Sequence, residues 1–330
     1  MKHIILSFIF IFANYIVWAA KPNNVVPLEM IARADGGEIY NICTGMRLRK
    51  DIIITAAHCL TQSEIADIDS PLCIDFKYSN TAKEWIVSIT NISSNICRQG
   101  NGNVYFHTQN FNPENSNIEA EKFGDLAIIK INGPINIINT VMNNKDVKNL
   151  PPQFKNMMLT PLKNEQKKHN ANYEIFMNIP LENYKVFALQ ANSDKVPEFF
   201  RTMTINSYFF PGDESHNRYP VEIHNGTFKG IAKRSSKIIG WDLFTQPGES
   251  GSPLLDTKNK RFFGSGSGNF HDALETMKID TNVCDGFLNK LGIKCEIENP
   301  PQPVENNKEN KQLKPIGKNI EKPIIKPTKK

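Results

Sequence analysis

The chain has 330 residues, 40% of them hydrophobic and 22% charged, with a formal net charge of +5. Charges of both signs are interspersed, so the middle of the chain reads as globular. From Pro301 onward, eight lysines stand against three glutamates and account for the whole net charge. The remaining part is therefore not a basic nucleic-acid binder.

Met1 to Ala20 reads as a secretory signal. Lys2 and His3 form a short positive start, and Ile4 to Trp18 is almost wholly apolar. Val17-Trp18-Ala19 places small residues where a signal peptidase reads, so cleavage after Ala19 is expected, with Ala20 as the alternative. The run is short for a membrane span and Asn14 interrupts it; no later stretch is long enough, so no stable membrane insertion is expected after cleavage. Six cysteines fit the oxidising compartment that such a signal implies. Sequential pairing, Cys43–Cys59, Cys73–Cys97 and Cys284–Cys295, is the expectation adopted from fifteen arrangements. Each bridge would close a modest loop and add about 2–4 kcal/mol.

In chain order, residues 21–40 read as a short lead-in. Ile42 to Arg49 and Asp51 to Thr55 read as two strands, the second built on a β-branched run. Further strands are predicted at Cys73 to Tyr78, Trp85 to Ile89 and Leu126 to Ile131, separated by Asn- and Gly-rich stretches. Asn110 to Ala120 reads as a loop, Asn144 to Gln153 as a linker, and Lys163 to Asn172 as a charged surface loop. The second half carries predicted strands at Tyr184–Gln190, Arg201–Tyr208, Thr227–Ala232, Lys237–Leu243, Ser252–Leu255 and Arg261–Gly264. Asp285 to Leu291 reads as a short helix. Many short strands between turn signals argue for barrels or a sandwich. From Glu298 to Lys330, Pro, Asn and Lys dominate, a composition that buries too little apolar surface to fold. This tail is expected to be solvated, with weak attraction to an acidic partner as the alternative. The domain organisation expected is signal 1–20, an N-terminal barrel 21–148, a C-terminal barrel 149–297 and the tail 298–330.

Three runs carry chemistry. They are Thr55-Ala56-Ala57-His58-Cys59, Gly124-Asp125-Leu126-Ala127-Ile128-Ile129 and Gly248-Glu249-Ser250-Gly251-Ser252-Pro253. A serine hydroxyl is a weak nucleophile until a base takes its proton, and the base needs an orienting acid. Histidine suits the base because its pKa lies near physiological pH. A buried aspartate holds the ring in the useful tautomer, and paired backbone N–H groups stabilise the oxyanion. Asp67, Asp69, Asp75, Glu119 and Glu121 are rival acids; the place of Asp125 before an apolar strand and between the other two runs favours it.

These runs resemble the histidine, aspartate and serine motifs of the chymotrypsin superfamily of serine proteases. The resemblance implies an all-β fold of two packed six-stranded antiparallel barrels, a short C-terminal helix and a disordered tail. It implies His58 as general base, Asp125 as its orienting acid, Ser250 as nucleophile, and the N–H groups of Gly248 and Ser250 as the oxyanion hole. It also implies the pair Cys43–Cys59. The site would lie in the cleft between the barrels, and protein or peptide would be the substrate.

The chain departs from trypsin in four ways. Glu249 stands where aspartate normally pairs with a new N-terminus, and no basic residue precedes an Ile-Val-Gly-Gly-like start. Phe244 occupies the position six before the serine, so a preference for Lys or Arg is not expected. Gln246 stands where the family has a cysteine. Asp242-Leu243-Phe244-Thr245 is closer to the V8-like branch, yet the later strand Phe263 to Gly268 lacks that branch's histidine. Phe244, Thr245 and Ser267 are the pocket candidates, with Ser267 also expected to pair its backbone with substrate. Asn91-Ile92-Ser93 and Asn225-Gly226-Thr227 are glycosylation sequons. The histidines beyond the signal show no ligand spacing, so no metal or cofactor is expected. The function expected is a secreted serine endopeptidase; the alternatives are a catalytically silent protease-like binding protein and a surface adhesin or effector.

Overall fold

Alternation of side chains along a strand explains how the two halves meet. Ile52-Ile53-Ile54-Thr55 is buried at every position. Ile53 points into one apolar cluster with Val26, Leu28, Met30, Ile74, Phe76, Val87 and Ile129. Ile52 and Ile54 point the other way, with Met46 and Ile128, into a second cluster shared with Tyr208, Phe210, Leu255 and Phe262. A strand with apolar neighbours on both faces reads as a continuous apolar run, and each fully buried Ile contributes about 1.5–3 kcal/mol.

The computed structural model describes residues 21–34, 37–61, 71–91, 97–107, 124–188, 204–213, 215, 217–231, 238–241, 246–270, 273–277 and 279–297. The signal segment, the tail, the 110–120 loop, and Phe244 and Thr245 lie outside these residues.

Strands β1 (Val25–Ala34), β2 (Gly37–Arg49), β3 (Ile52–Thr55), β4 (Pro71–Ser79), β5 (Glu84–Asn91), β6 (Gly100–Phe106) and β7 (Ala127–Pro134) form a closed barrel in the order β1-β2-β3-β7-β6-β4-β5. The barrel has seven strands where six were expected. One strand not read from the sequence is β1, in the segment read as a lead-in; it pairs antiparallel with β2 and closes the barrel by pairing parallel with β5, Leu28 opposite Val87. Pro27 and Glu29 interrupt its apolar run, but Glu29 points to Ser88, whose Oγ donates to its Oε2 at 3.1 Å. Strand β6 was likewise unforeseen, being Gly-Asn-Gly-Asn at its start. A Cβ on Gly102 would lie 2.5 Å from Lys130 O, so glycine there permits the close approach of β7.

The second sheet contains β8 (Lys185–Ala188), β9 (Thr204–Phe209), β10 (Glu222–Ile231), β11 (Ile238–Trp241), β12 (Pro253–Asp256), β13 (Arg261–Phe270), β14 (Ala273–Met277) and β15 (Cys295–Ile297). Its order is β12-β9-β10-β11-β14-β13-β8-β15, and β12 also pairs with β13. Six strands thus return on themselves through antiparallel pairings, while β8 joins β13 and β15 in parallel. The chymotrypsin-like architecture holds, with parallel pairings of β1 with β5 and of β8 with β13 and β15 added to the antiparallel pattern expected.

The segment Lys163–Asn172 is not a loop. It lies inside a 27-residue helix, Pro152–Asn178, whose first two residues are the last two of the expected linker; a short helix, Lys145–Lys148, lies within the rest of that linker. Pro152 suits a first helical position, where no N–H is needed. The anchoring residues sit in the last turns. Phe176 stacks on Phe76 at 4.4 Å, Tyr173 meets the same ring edge-on at 5.6 Å, and the buried Arg47 guanidinium lies 4.1 Å from the Phe176 centroid. Arg47 also donates to Phe176 O at 3.0 Å. Lysines, asparagines and Pro161 obscure the helical period upstream. Near the end of the fold, 281–291 winds through short helical turns, as expected for Asp285–Leu291. Cys43–Cys59, Cys73–Cys97 and Cys284–Cys295 are disulfide-bonded. Among the described residues, no helix is long and apolar enough to cross a membrane.

Candidate active site

The register of two adjacent strands brings His58 to Asp125. Strands β3 and β7 run antiparallel with Thr55 opposite Ala127. The chain leaves β3 into a helical turn that begins at His58, and it enters β7 two residues after Asp125. Both residues therefore stand at one edge of the first barrel. Ala56, Ala57 and Leu60, on either side of His58, are themselves buried.

The pair is tightly joined. His58 N donates to Asp125 Oδ1 at 2.8 Å, and His58 Nδ1 lies 2.5 Å from Asp125 Oδ2. Ser267 Oγ donates to the same Oδ2 at 2.7 Å. Asp125 is 1% exposed and His58 9%. Burial alone would raise the Asp125 carboxyl, but the His58 charge and these hydrogen bonds hold it below its ordinary 3.8. Burial alone would lower the His58 imidazole, but Asp125 holds it above its ordinary 6.5. With Nδ1 committed to Asp125, Nε2, which lies 4.0 Å from the disulfide-bonded Cys59 Sγ, is the ring nitrogen not held by the acid. Of the rival acids, Asp75 instead accepts from Gln99 N at 3.2 Å. Asp67, Asp69, Glu119 and Glu121 lie outside the described residues.

The third run folds into a turn on the other half. Gly248 and Gly251 have φ of +95° and +80°. Gly251 N donates to Gly266 O at 2.7 Å, and Ser252 N to Glu249 O at 2.8 Å. A Cβ on Gly251 would fall 2.1 Å from Thr55 Oγ1, 2.2 Å from Thr44 O and 3.2 Å from Ala56 N, so only glycine fits against the strand end that leads to His58. Thr44 of β2 holds the turn from the first barrel. Its N–H donates to Ser250 O at 2.8 Å, its hydroxyl donates to Gly248 O at 2.8 Å, and the same hydroxyl accepts from Phe210 N at 3.1 Å. Ser250 is half-buried at this junction. Among the described residues, the N–H groups of Gly248 and Ser250 have no backbone acceptor.

Glu249, between them, is 1% exposed. Its Oε1 accepts from Ser207 Oγ at 2.9 Å and its Oε2 from Gln246 N at 3.2 Å. His224 Nδ1 lies 3.7 Å from Oε1. Sequence reasoning singled out neither Thr44, Ser207 nor His224, because no local motif marks them. Ser267, taken as a pocket and backbone-pairing residue, turns its side chain to Asp125. The ligand atoms of Cys43, His58 and Cys59 lie within 4.8 Å of one another. Both cysteines are oxidised to a disulfide and offer no thiolate, so this cluster does not suit a metal.

The trypsin family model matches residues 27–153, a stretch that includes His58 and Asp125 and ends before Ser250. The chain thus has a trypsin-like serine protease fold and resembles the chymotrypsin superfamily, as its motifs indicated. Among solved structures, it is similar to a scabies mite inactivated protease paralogue (10% identity, TM-score 0.42, 82% of this chain and 94% of that one). It is also similar to HL collagenase (12%, 0.43, 83% and 94%) and human heparin binding protein (11%, 0.40, 82% and 94%). At these identities and scores the likenesses decide nothing about activity. A search of curated proteins finds no match to the sequence.

Proposed function

We propose that the protein is a secreted serine endopeptidase that cleaves peptide bonds through an acyl-enzyme. The observation that carries this reading is the buried His58–Asp125 pair at the barrel edge against which Gly251 packs. Ser250 Oγ attacks the peptide carbonyl carbon while His58 Nε2 takes the hydroxyl proton. The N–H groups of Gly248 and Ser250 stabilise the oxyanion. Collapse breaks the C–N bond, and His58 gives its proton to the departing amine. Water then attacks the Ser250 ester, passing a proton to His58, which returns it to Ser250 Oγ as the acid leaves. Throughout, Asp125 keeps its charge and orients the ring.

The sequence of Met1 to Ala20 and the three disulfides support secretion. The test is hydrolysis of a peptide library by wild type and Ser250→Ala. Cleavage by wild type and its loss in the variant are expected. A folded wild type that cleaves nothing favours a silent, protease-like binding protein instead.

A further inference from the structure

The long helix Pro152–Asn178 presents two lines of side chains, and the fold uses one of them. The inward line, Leu162, Gln166, His169, Tyr173 and Phe176, recurs at helical spacing and is half-buried or buried. Gln166 ties it to the preceding segment, donating to Ile135 O at 2.7 Å and accepting from Ile137 N at 2.5 Å. Asn172 donates to Phe76 O at 3.3 Å. A second line, Phe154, Met157, Pro161, Asn164, Lys168 and Ile175, recurs at steps of three, four and seven, and every member is exposed. Phe154 is 48%, Met157 72% and Ile175 52% exposed; Leu150, just before the helix, is 37% exposed. These are four of the seven exposed large apolar side chains among the described residues, so their gathering on one helix differs from the scattered exposure normal of a surface.

Charge decides what covers this line. From Lys145 to Asn164 the chain carries Lys145, Lys148, Lys155 and Lys163 against the single acid Asp146; Lys167 and Lys168 follow, with Glu165 and Glu174. A second copy of the chain laid along the line would bury Lys168 in the middle of the contact, where no acid on the line offsets it. A stable protein contact also needs about 800 Å² from each partner around an apolar centre, whereas here the apolar side chains stand at the two ends. A lipid surface tolerates this pattern. The apolar side chains enter the boundary between headgroups and acyl chains, while Lys168 extends its ammonium to the phosphates. The excess of lysine selects anionic lipid.

We propose that the exposed line of the Pro152–Asn178 helix is a peripheral docking surface for an anionic phospholipid bilayer, with Phe154, Met157 and Ile175 as its apolar anchors. The helix lies along the surface for about 40 Å and spans nothing. The proposal is independent of the protease reading.

The experiment measures partitioning of the chain, freed of its signal segment, onto vesicles of phosphatidylcholine alone and of phosphatidylcholine mixed with phosphatidylserine. Wild type should bind the mixed vesicles and not the neutral ones, and added salt should weaken the binding. Phe154→Ser with Met157→Ser should lower partitioning by roughly thirtyfold at unchanged charge and unchanged melting temperature, because both side chains are exposed. Ile175→Ser and Lys168→Gln should each lower it by roughly fivefold. The lysines of the tail would also draw the chain to anionic vesicles, but that attraction does not register the loss of Phe154 and Met157. A double variant that binds within about twofold of wild type therefore overturns the inference. So does a folded wild type that ignores the mixed vesicles. A wild type that sediments as a dimer and a double variant that sediments as a monomer would assign the line to a second copy instead.

Discussion

The two parts of the candidate site are built in opposite ways. His58 and Asp125 stand at the ends of adjacent strands, and one antiparallel register, Thr55 opposite Ala127, sets their distance. The 246–252 turn depends instead on partners remote in sequence: Thr44 reaches Gly248 across 204 residues and Ser207 reaches Glu249 across 42. The first arrangement survives as long as the barrel does. The second can be lost one hydrogen bond at a time, so the two regions should respond differently to substitution.

Asp125→Ala should have the greatest effect, because it breaks the register-built half outright. It should lower kcat by roughly 10³–10⁴-fold. The pH dependence sharpens the point. In its proposed role of general base His58 must be neutral, so kcat/KM should rise with pH through a value above 6.5. In Asp125→Asn the raising influence is gone while burial remains, and the residual activity should rise through a value below 6.5. Stability carries the corresponding signs. The raised imidazole stabilises the fold below 6.5, and this is lost as pH rises through its folded value. The depressed carboxyl stabilises the fold above 3.8, and this is lost as pH falls through its folded value. Denaturant titrations of wild type and Asp125→Asn across this range measure both.

Thr44→Val tests the remote-built half. It keeps the side-chain shape and removes the hydroxyl that serves Gly248 O and Phe210 N. A cost of about 1–3 kcal/mol in stability and roughly tenfold in kcat is expected, because both partners are left buried without it. If kcat is unchanged while stability falls, the turn does not depend on this clamp for its shape.

The difference between the halves also explains what could be read from sequence. His58, Asp125 and Ser250 each sit in a short run whose local chemistry is visible. The β-branched strand before His58 and the apolar strand after Asp125 announce their own secondary structure. Strand β1 was hidden because Pro27 and the buried Glu29 break the apolar pattern, and β6 because close packing demanded glycine at 102. The long helix was hidden because its apolar anchors, Tyr173 and Phe176, gather at one end and leave lysines and asparagines to dominate the rest. Thr44, Ser207 and His224 carry no signal at all, since their roles arise only when distant strands pair.

The mildest change, Ser267→Ala, joins the two halves of the comparison, because β13 of the second sheet supplies one of the hydrogen bonds on Asp125. Removing it should lower kcat/KM by roughly threefold, as one of three donors to a charged acceptor is lost. The expected signature is a small shift of the acid limb with KM almost unchanged. An effect as large as that of Asp125→Ala would mean that the second sheet, rather than the β3–β7 register, holds the acid in place.

The most direct measurement is the site of covalent attachment of a fluorophosphonate, read by peptide mass spectrometry on wild type and His58→Ala. A single adduct is expected on the peptide containing Ser250, formed by the wild type and not by the variant. Attachment at another residue, or equal attachment to Ser250 without the imidazole, would contradict it.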